Sequence, residues 1–211
     1  MRMRFNLNLF DKKKGYLLFL RHGKTDWNIQ RKMQGRDDIP LNEEGLREAL
    51  FAALGFASAC KRGLKIDSII TSPLSRASKT GEIIARATNS TYTTDFRLIE
   101  RDFGALSGTQ YSPNSKAITE DVTVEGLESI ASVIERINGF IRDNVRIGET
   151  TVAVSHGSAT KIFALQAKKD PSVTNYNELL GNCCMIIYSY DGNEVLMEGY
   201  NISPSHLKDL I

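Results

Sequence analysis

Tyr16-Leu17-Leu18-Phe19-Leu20-Arg21-His22-Gly23 is an apolar run that stops at an arginine, a histidine and a glycine. The run is too short for a buried helix and lacks the alternation of a half-exposed strand. It therefore reads as a strand covered on both faces and ending in a glycine turn. Thr151-Val152-Ala153-Val154-Ser155-His156-Gly157 repeats the pattern far downstream. The chain has three histidines, and two of them stand at the carboxyl end of such a strand. A sheet can bring two remote strand ends side by side, and in open α/β sheets ligands bind beyond those ends, at a topological switch point.

The flanking sequence supports such a sheet. From Asn42, a good N-cap, the pattern Leu46, Ala49, Leu50, Ala53 and Leu54 predicts a helix ending near Gly63. Ile66 to Thr71 reads as a second strand. Ser72-Pro73 reads as a capping side chain followed by proline at the first helical position, which puts Arg76 in a helix's first turn. That helix continues through Ile83, Ile84 and Ala87, and a third strand fits around Tyr92 to Phe96. Irregular sequence with Gly104, Gly108 and Pro113 follows, a candidate lid or pocket wall. Ile130, Val133, Ile134, Ile137 and Ile141 mark an amphipathic helix. Cys184 to Tyr190 and Glu194 to Tyr200 flank Asp191-Gly192, a hairpin signal. Met3 to Phe10 alternates apolar and polar residues, which makes residues 1–15 a candidate added edge hairpin. The expected architecture is a single domain over residues 1–211, a three-layer α/β/α sandwich around a mostly parallel, doubly wound sheet.

Bulk composition excludes several classes. With 27 basic and 25 acidic side chains, the net charge of +2 supplies no field for nucleic acid or an anionic membrane surface. No segment approaches ~18 consecutive apolar residues, so no membrane span is expected. Cys60, Cys183 and Cys184 are an odd number without metal-ligand spacing, which fits reduced, buried thiols and a cytoplasmic location. Any anion binding must be local.

A phosphoryl group presents anionic oxygens that need several donors, and its transfer is catalysed mainly by positioning and positive charge. Two strand-end histidines, Arg21 and Arg76 beside them, and backbone N–H groups at helix starts meet that need without a metal. Taken alone, either histidine could be a satisfied strand-end residue, Arg76 an exposed helix arginine and Glu100 a solvated loop carboxylate. His206 is expected at the surface.

Four blocks together resemble the histidine phosphatase superfamily, which includes the cofactor-dependent phosphoglycerate mutases. The blocks are residues 20–28 (Leu-Arg-His-Gly-Lys-Thr-Asp-Trp-Asn) running on into Gln34-Gly35-Arg36-Asp37-Asp38-Ile39-Pro40-Leu41; Thr71-Ser72-Pro73-Leu74-Ser75-Arg76-Ala77 with Thr80; Leu98-Ile99-Glu100-Arg101-Asp102-Phe103-Gly104; and Ser155-His156-Gly157. The resemblance spans residues 16 to about 200. It implies that His22 is the nucleophile of a phosphohistidine intermediate, that Arg21, Arg76 and His156 hold the phosphoryl oxygens, and that Glu100 is the proton donor, ahead of Asp95 and Asp102. It further implies substrate contacts from Asn28, Gln34, Gly35 and Gly157, with specificity from Lys24, Arg101 and the loop between Ser107 and Thr123.

Gln34-Gly35 and Asp38-Ile39-Pro40-Leu41 resemble the phosphatase branches, including the α-ribazole-phosphate and broad-specificity phosphatases, and several departures argue against a mutase. Lys24 replaces an acidic residue, Ser158 stands where mutases usually have asparagine, and residues 109–124 lack the paired arginines of mutases. The expected activity is thus a metal-independent, cofactor-free phosphomonoesterase acting on a small phosphorylated metabolite, with no nucleic-acid or membrane partner. A phosphoglycerate mutase and a catalytically silent phosphoanion-binding module are the alternatives, and a homodimer through an exposed edge strand stays open.

Overall fold

The structure, a computed structural model, describes residues 11–112 and 115–210; of the edge hairpin expected over residues 1–15, the strand before Asp11 lies outside these residues. In chain order the elements are β1 (Gly15–Arg21), α1 (Asp26–Ile29), α2 (Glu43–Lys61), β2 (Ser68–Thr71), α3 (Ser75–Thr88), β3 (Thr93–Thr94), α4 (Ile130–Asn144), β4 (Thr150–Ser155), α5 (Gly157–Gln166), β5 (Lys168–Lys169), β6 (Met185–Tyr190) and β7 (Val195–Ile202). Short 3-10 turns at Phe96–Leu98, Gly104–Leu106, Lys116–Ile118 and Pro204–Asp209 punctuate the loops.

The strands form one seven-stranded sheet in the order β3-β2-β4-β1-β6-β7-β5. β1, β2, β3 and β4 are mutually parallel, β6 runs against both β1 and β7, and β5 is parallel to β7. Only β6 is therefore reversed, as the Asp191 hairpin requires: the Asp191 carboxylate accepts from the N–H groups of Asn193 and Glu194, both at 2.9 Å. Both sheet edges among the described residues are two-residue strands, which leaves little main chain open to a partner strand.

The apolar run of β1 divides by parity. Leu17 and Phe19 pack with Val133, Ile137 and Phe140 of α4 and Phe163 of α5, whereas Tyr16, Leu18 and Leu20 pack with Phe56 of α2 and Ile84 of α3. This makes the three layers. Burying each Leu or Phe contributes about 1.5–3 kcal/mol, more than the ~1 kcal/mol span of strand propensities, so burial on both faces sets the position of β1.

Three local expectations need correction. The third strand shrinks to Thr93–Thr94, because Asp95 accepts from the Arg97 N–H and turns the chain into a 3-10 segment. Ser72 does not cap α3. The helix starts at Ser75, whose N–H donates 2.7 Å to Asp38 Oδ1 from a different loop, and the Ser72 hydroxyl is engaged by a histidine. On α2, Ala49, Ala52, Ala53, Phe56 and Ala59 face the core, while Leu46, Leu50, Phe51 and Leu54 are 37%, 55%, 71% and 64% exposed. Small alanines let α2 lie close to the sheet side, and its leucines belong to a second, outward apolar face.

Candidate active site

The parallel pairing of β1 with β4 sets Arg21 opposite Ser155, so the next residues, His22 and His156, leave the sheet side by side. The His22 N–H donates to the Ser155 carbonyl at 3.0 Å, and the two rings lie 5.1 Å apart at 59°. From this point α2 and α5 pack on opposite faces of the sheet, which is the crevice expected at a switch point.

His22 is 2% exposed, and its Nδ1 lies 2.6 Å from the carbonyl oxygen of Gly23. A carbonyl can only accept, so Nδ1 carries the proton and Nε2 keeps its lone pair. Burial, reinforced by Arg76 and then Arg21, holds the imidazole well below its ordinary pKa, so the ring is neutral. The turn is anchored from α3: the Gly23 N–H donates to Thr80 Oγ1 at 3.1 Å, and that hydroxyl donates to the Arg76 carbonyl at 2.8 Å. His156 is fully buried, with Nε2 2.8 Å from Ser72 Oγ, and burial followed by Arg76 lowers its pKa as well.

Both arginines are held by main-chain carbonyls. Arg21 Nη1 donates to Leu180 O at 2.5 Å; Arg76 Nη1 and Nη2 donate to Asp37 O and Gly35 O at 2.7 and 2.8 Å. Burial pushes Arg76 down to about 10, which leaves it cationic at neutral pH. Gly35 supplies its carbonyl from a backbone at φ +48°, in the left-handed region that favours glycine. It therefore reaches the site through Arg76. Gly157 does line the pocket, and a Cβ there would come 3.2 Å from Arg21 Nε. Arg21 Nε, Arg76 Nε and His156 Nδ1 are buried and have no hydrogen-bond partner among the described residues. Buried polar nitrogens without partners need an explanation, and a bound anion is one.

Glu100 is 7% exposed. Its Oε1 accepts from the N–H groups of Arg101 (2.9 Å) and Ala159 (2.8 Å), and its Oε2 accepts from Ser158 N–H at 3.1 Å. The carboxyl group thus sits on the first turn of α5, and Oε2, with one donor, is the oxygen left available to the pocket. Asn28 and Gln34 line the same pocket and are oriented by Thr25, which donates from its N–H to Asn28 Oδ1 at 3.0 Å and from its hydroxyl to Gln34 Oε1 at 3.0 Å.

Arg21, His22, Asn28, Gln34, Arg76, Glu100 and Gly157 line one pocket with a cavity of about 60 Å³, together with Lys32, Met33, Phe103, Tyr111, Ile118, Ser158, Leu179 and Leu180; His156 is not among its lining residues, its ring centre lying 5.1 Å from that of His22. Three residues expected to contact substrate, Gly35, Lys24 and Arg101, do not line it. Lys24 pairs with Glu44 and, at 3.3 Å, with Glu48. Arg101, fully buried, donates to the carbonyls of Glu128, Ala117 and Glu120 and to Asp121. With four of its five N–H groups engaged and no part of it lining the pocket, Arg101 instead ties down the loop that carries Ile118. Lys161, 5% exposed, does the same on the other side by donating to the carbonyls of Tyr176 and Glu178, just before Leu179 and Leu180. Asp95 and Asp102 do not line the pocket; they are occupied by Arg97 and Arg36. His206 is exposed, as expected.

Sequence reasoning missed Ser72, Lys32 and Asn182, whose Nδ2 donates to the His22 carbonyl at 3.0 Å. Ser72 was assigned to a cap, and neither Arg31-Lys32 nor Asn182-Cys183-Cys184 carries a signature. All three thiols are free, and only Cys183 is fully buried. Burial pushes the thiols up in pKa, so their surroundings make them poor nucleophiles. Among the described residues no three His, Cys, Asp or Glu side chains are placed to hold a metal ion, and no helix is long and apolar enough to cross a membrane.

The model of the histidine phosphatase superfamily, branch 1, matches residues 17–203. A probable phosphoglycerate mutase, GpmB, of Salmonella typhi is 30% identical over 86% of this chain and 87% of its own. An uncharacterized phosphatase, PhoE, of Bacillus subtilis is 29% identical over 91% of this chain and 96% of its own. Among solved structures, a mycobacterial glucosyl-3-phosphoglycerate phosphatase superposes with a TM-score of 0.73 at 23% identity, covering 90% of this chain and all of its own. Phosphoserine phosphatase of Entamoeba histolytica, in complex with 3-phosphoglyceric acid, does so with a TM-score of 0.69 at 26% identity, covering 91% of this chain and 98% of its own. The chain belongs to the histidine phosphatase superfamily and is a phosphoryl-transfer enzyme of the phosphoglycerate mutase-like kind.

Proposed function

We propose that this protein is a metal-independent phosphomonoesterase working through a phosphohistidine on His22. The observation that carries the reading is His22 Nδ1 held 2.6 Å from the Gly23 carbonyl, which leaves Nε2 with the lone pair, together with buried nitrogens of Arg21, Arg76 and His156 that lack partners among the described residues. Nε2 attacks phosphorus, the bond from phosphorus to the ester oxygen breaks, and Glu100 delivers a proton to the leaving oxygen. Water then attacks the phosphohistidine, the P–N bond breaks, and Glu100 takes the proton back. Arg21, Arg76 and His156 stabilise the equatorial oxygens throughout.

Because two guanidinium groups supply this charge, full activity is expected to survive exhaustive chelation. Arg76→Ala should lower turnover by roughly 10²–10³-fold, the scale for removing a preorganised donor. Loss of activity on chelation, restored by Mg²⁺, would contradict the reading.

Hydrolysis rather than mutase activity is favoured by the pocket wall. Lys116, the basic residue of residues 109–124, is 74% exposed at its side chain and lies 3.9 Å from Glu120, while Lys24 and Arg101 are committed as described. Among the described residues no second pair of cations beside Arg21 and Arg76 lines the pocket to retain a bisphosphorylated intermediate while it reorients. Given 3-phosphoglycerate with a catalytic amount of 2,3-bisphosphoglycerate, the protein is expected to release far more phosphate than 2-phosphoglycerate. The opposite ratio at mutase-like turnover would replace this assignment with the mutase one.

A further inference from the structure

We infer that the outward face of α2 is where a second copy of this chain docks, its own α2 lying antiparallel across a two-fold axis. Leu46, Leu50 and Leu54 follow one another at every fourth residue, Phe51 stands beside them, and all four are exposed. Residues four apart share a helix face, so these side chains form one contiguous stripe rather than scattered apolar positions. The fold does not use the stripe, since α2 meets the core through Ala49, Ala52, Ala53, Phe56 and Ala59. Beside it runs a groove with a cavity of about 500 Å³, lined by Phe51, Ala52 and Gly55 of α2 and by Pro204 and Ser205. A contiguous exposed apolar patch rimmed by charge marks an interaction surface.

The ends of the stripe select its occupant. Glu43 and Glu44 stand at the amino end of α2, Lys61 and Arg62 at its carboxyl end, and all four are exposed. Glu43 and Lys61 are separated by roughly five whole turns at about 3.6 residues per turn, so they point the same way, in line with the leucines. Among the described residues Glu43 has Arg47 at 4.0 Å and Lys61 has no ion pair. A two-fold contact needs a self-complementary patch, and acid at one end, base at the other and leucines between make one. An axis at the level of Ala52 sets Glu43 of each copy against Lys61 of the other and Leu50 against Leu54. It also brings Phe51, next to the axis, over the groove of the second copy. A parallel pairing would set acid on acid and base on base, which excludes it. The sheet edges, two residues long, offer far less to a second copy than this helix does.

Sedimentation equilibrium of the full chain tests this by reading the dimer Kd. The wild type is expected to dimerise in the micromolar range. Phe51→Glu places two carboxylates beside the axis and should weaken the dimer by about 10²-fold or more, with an unchanged circular dichroism spectrum because the side chain is exposed already. Glu43→Lys should weaken it about tenfold, since symmetry changes two pairs at once, and adding Lys61→Glu should restore the wild-type Kd. Each of these exchanges opposes the dipole of α2, so an effect on the helix alone would accumulate in the double variant instead of cancelling. A wild type that stays monomeric at millimolar concentration, a dimer that Phe51→Glu leaves intact, or a double variant no tighter than Glu43→Lys overturns the proposal. So does a wild type that dimerises only after removal of residues 1–10, because the face is then covered from within the chain.

Discussion

Replacement of His22 by alanine is expected to lower phosphomonoester turnover by on the order of 10⁶-fold, the scale on which nucleophile deletions fall in covalent hydrolases. The residual arginine cradle would still bind phosphate, so KM should change far less than kcat. Rapid quench with a labelled phosphomonoester should trap an acid-labile, base-stable phosphoenzyme in the wild type and none in the variant. The pH behaviour follows from the same geometry. A base whose pKa is lowered by burial and by Arg76 stays deprotonated until the pH falls well below 6.5. Nitrogen NMR should therefore show His22 as the neutral Nδ1–H tautomer across pH 6–8, and protonation in that range would contradict the assignment. Wild-type turnover in His22→Ala would end the covalent mechanism.

Glu100→Gln should slow hydrolysis of an alkyl phosphate by about 10²–10⁴-fold, the usual value of general acid–base assistance. An activated aryl phosphate, whose leaving group departs without a proton, should lose much less. The comparison matters because Glu100 also accepts three backbone N–H groups. An amide can keep an oxygen on Arg101 and Ala159 but turns its NH₂ toward Ser158 N–H, so part of any loss would reflect a displaced α5. Displacement affects both substrates alike, and loss of proton donation affects them unequally. Equal losses would exclude Glu100 as the donor.

The sheet and the pairing of the two histidines were legible because they rest on burial: a run such as Leu17 to Leu20 has no other stable place than between two layers. The cradle followed, since Arg21, His22 and His156 are fixed to strand ends by register and Arg76 by the first turn of α3. What failed was whatever depends on a partner distant in sequence. Asp38 takes the capping role expected of Ser72, which leaves Ser72 for His156. Arg101 and Lys24 looked like free cations until the loop carbonyls and the α2 carboxylates that engage them were in view. The leucines of α2 obey helical spacing yet face outward, since spacing marks an apolar face without saying which of two is covered.

Arg101 and Lys161, each a buried cation, gather loop carbonyls in the two walls of the pocket, whereas β1 and β4 are paired backbone to backbone along their whole length. Amide exchange in the loop-built walls is accordingly expected to be faster than in the central strands, and equal protection of the two would contradict this. Choice of substrate and transfer of the phosphoryl group thus belong to parts of the molecule with different local stabilities. Warming or dilute urea that loosens the walls would relax discrimination between phosphate esters well before it stops their hydrolysis.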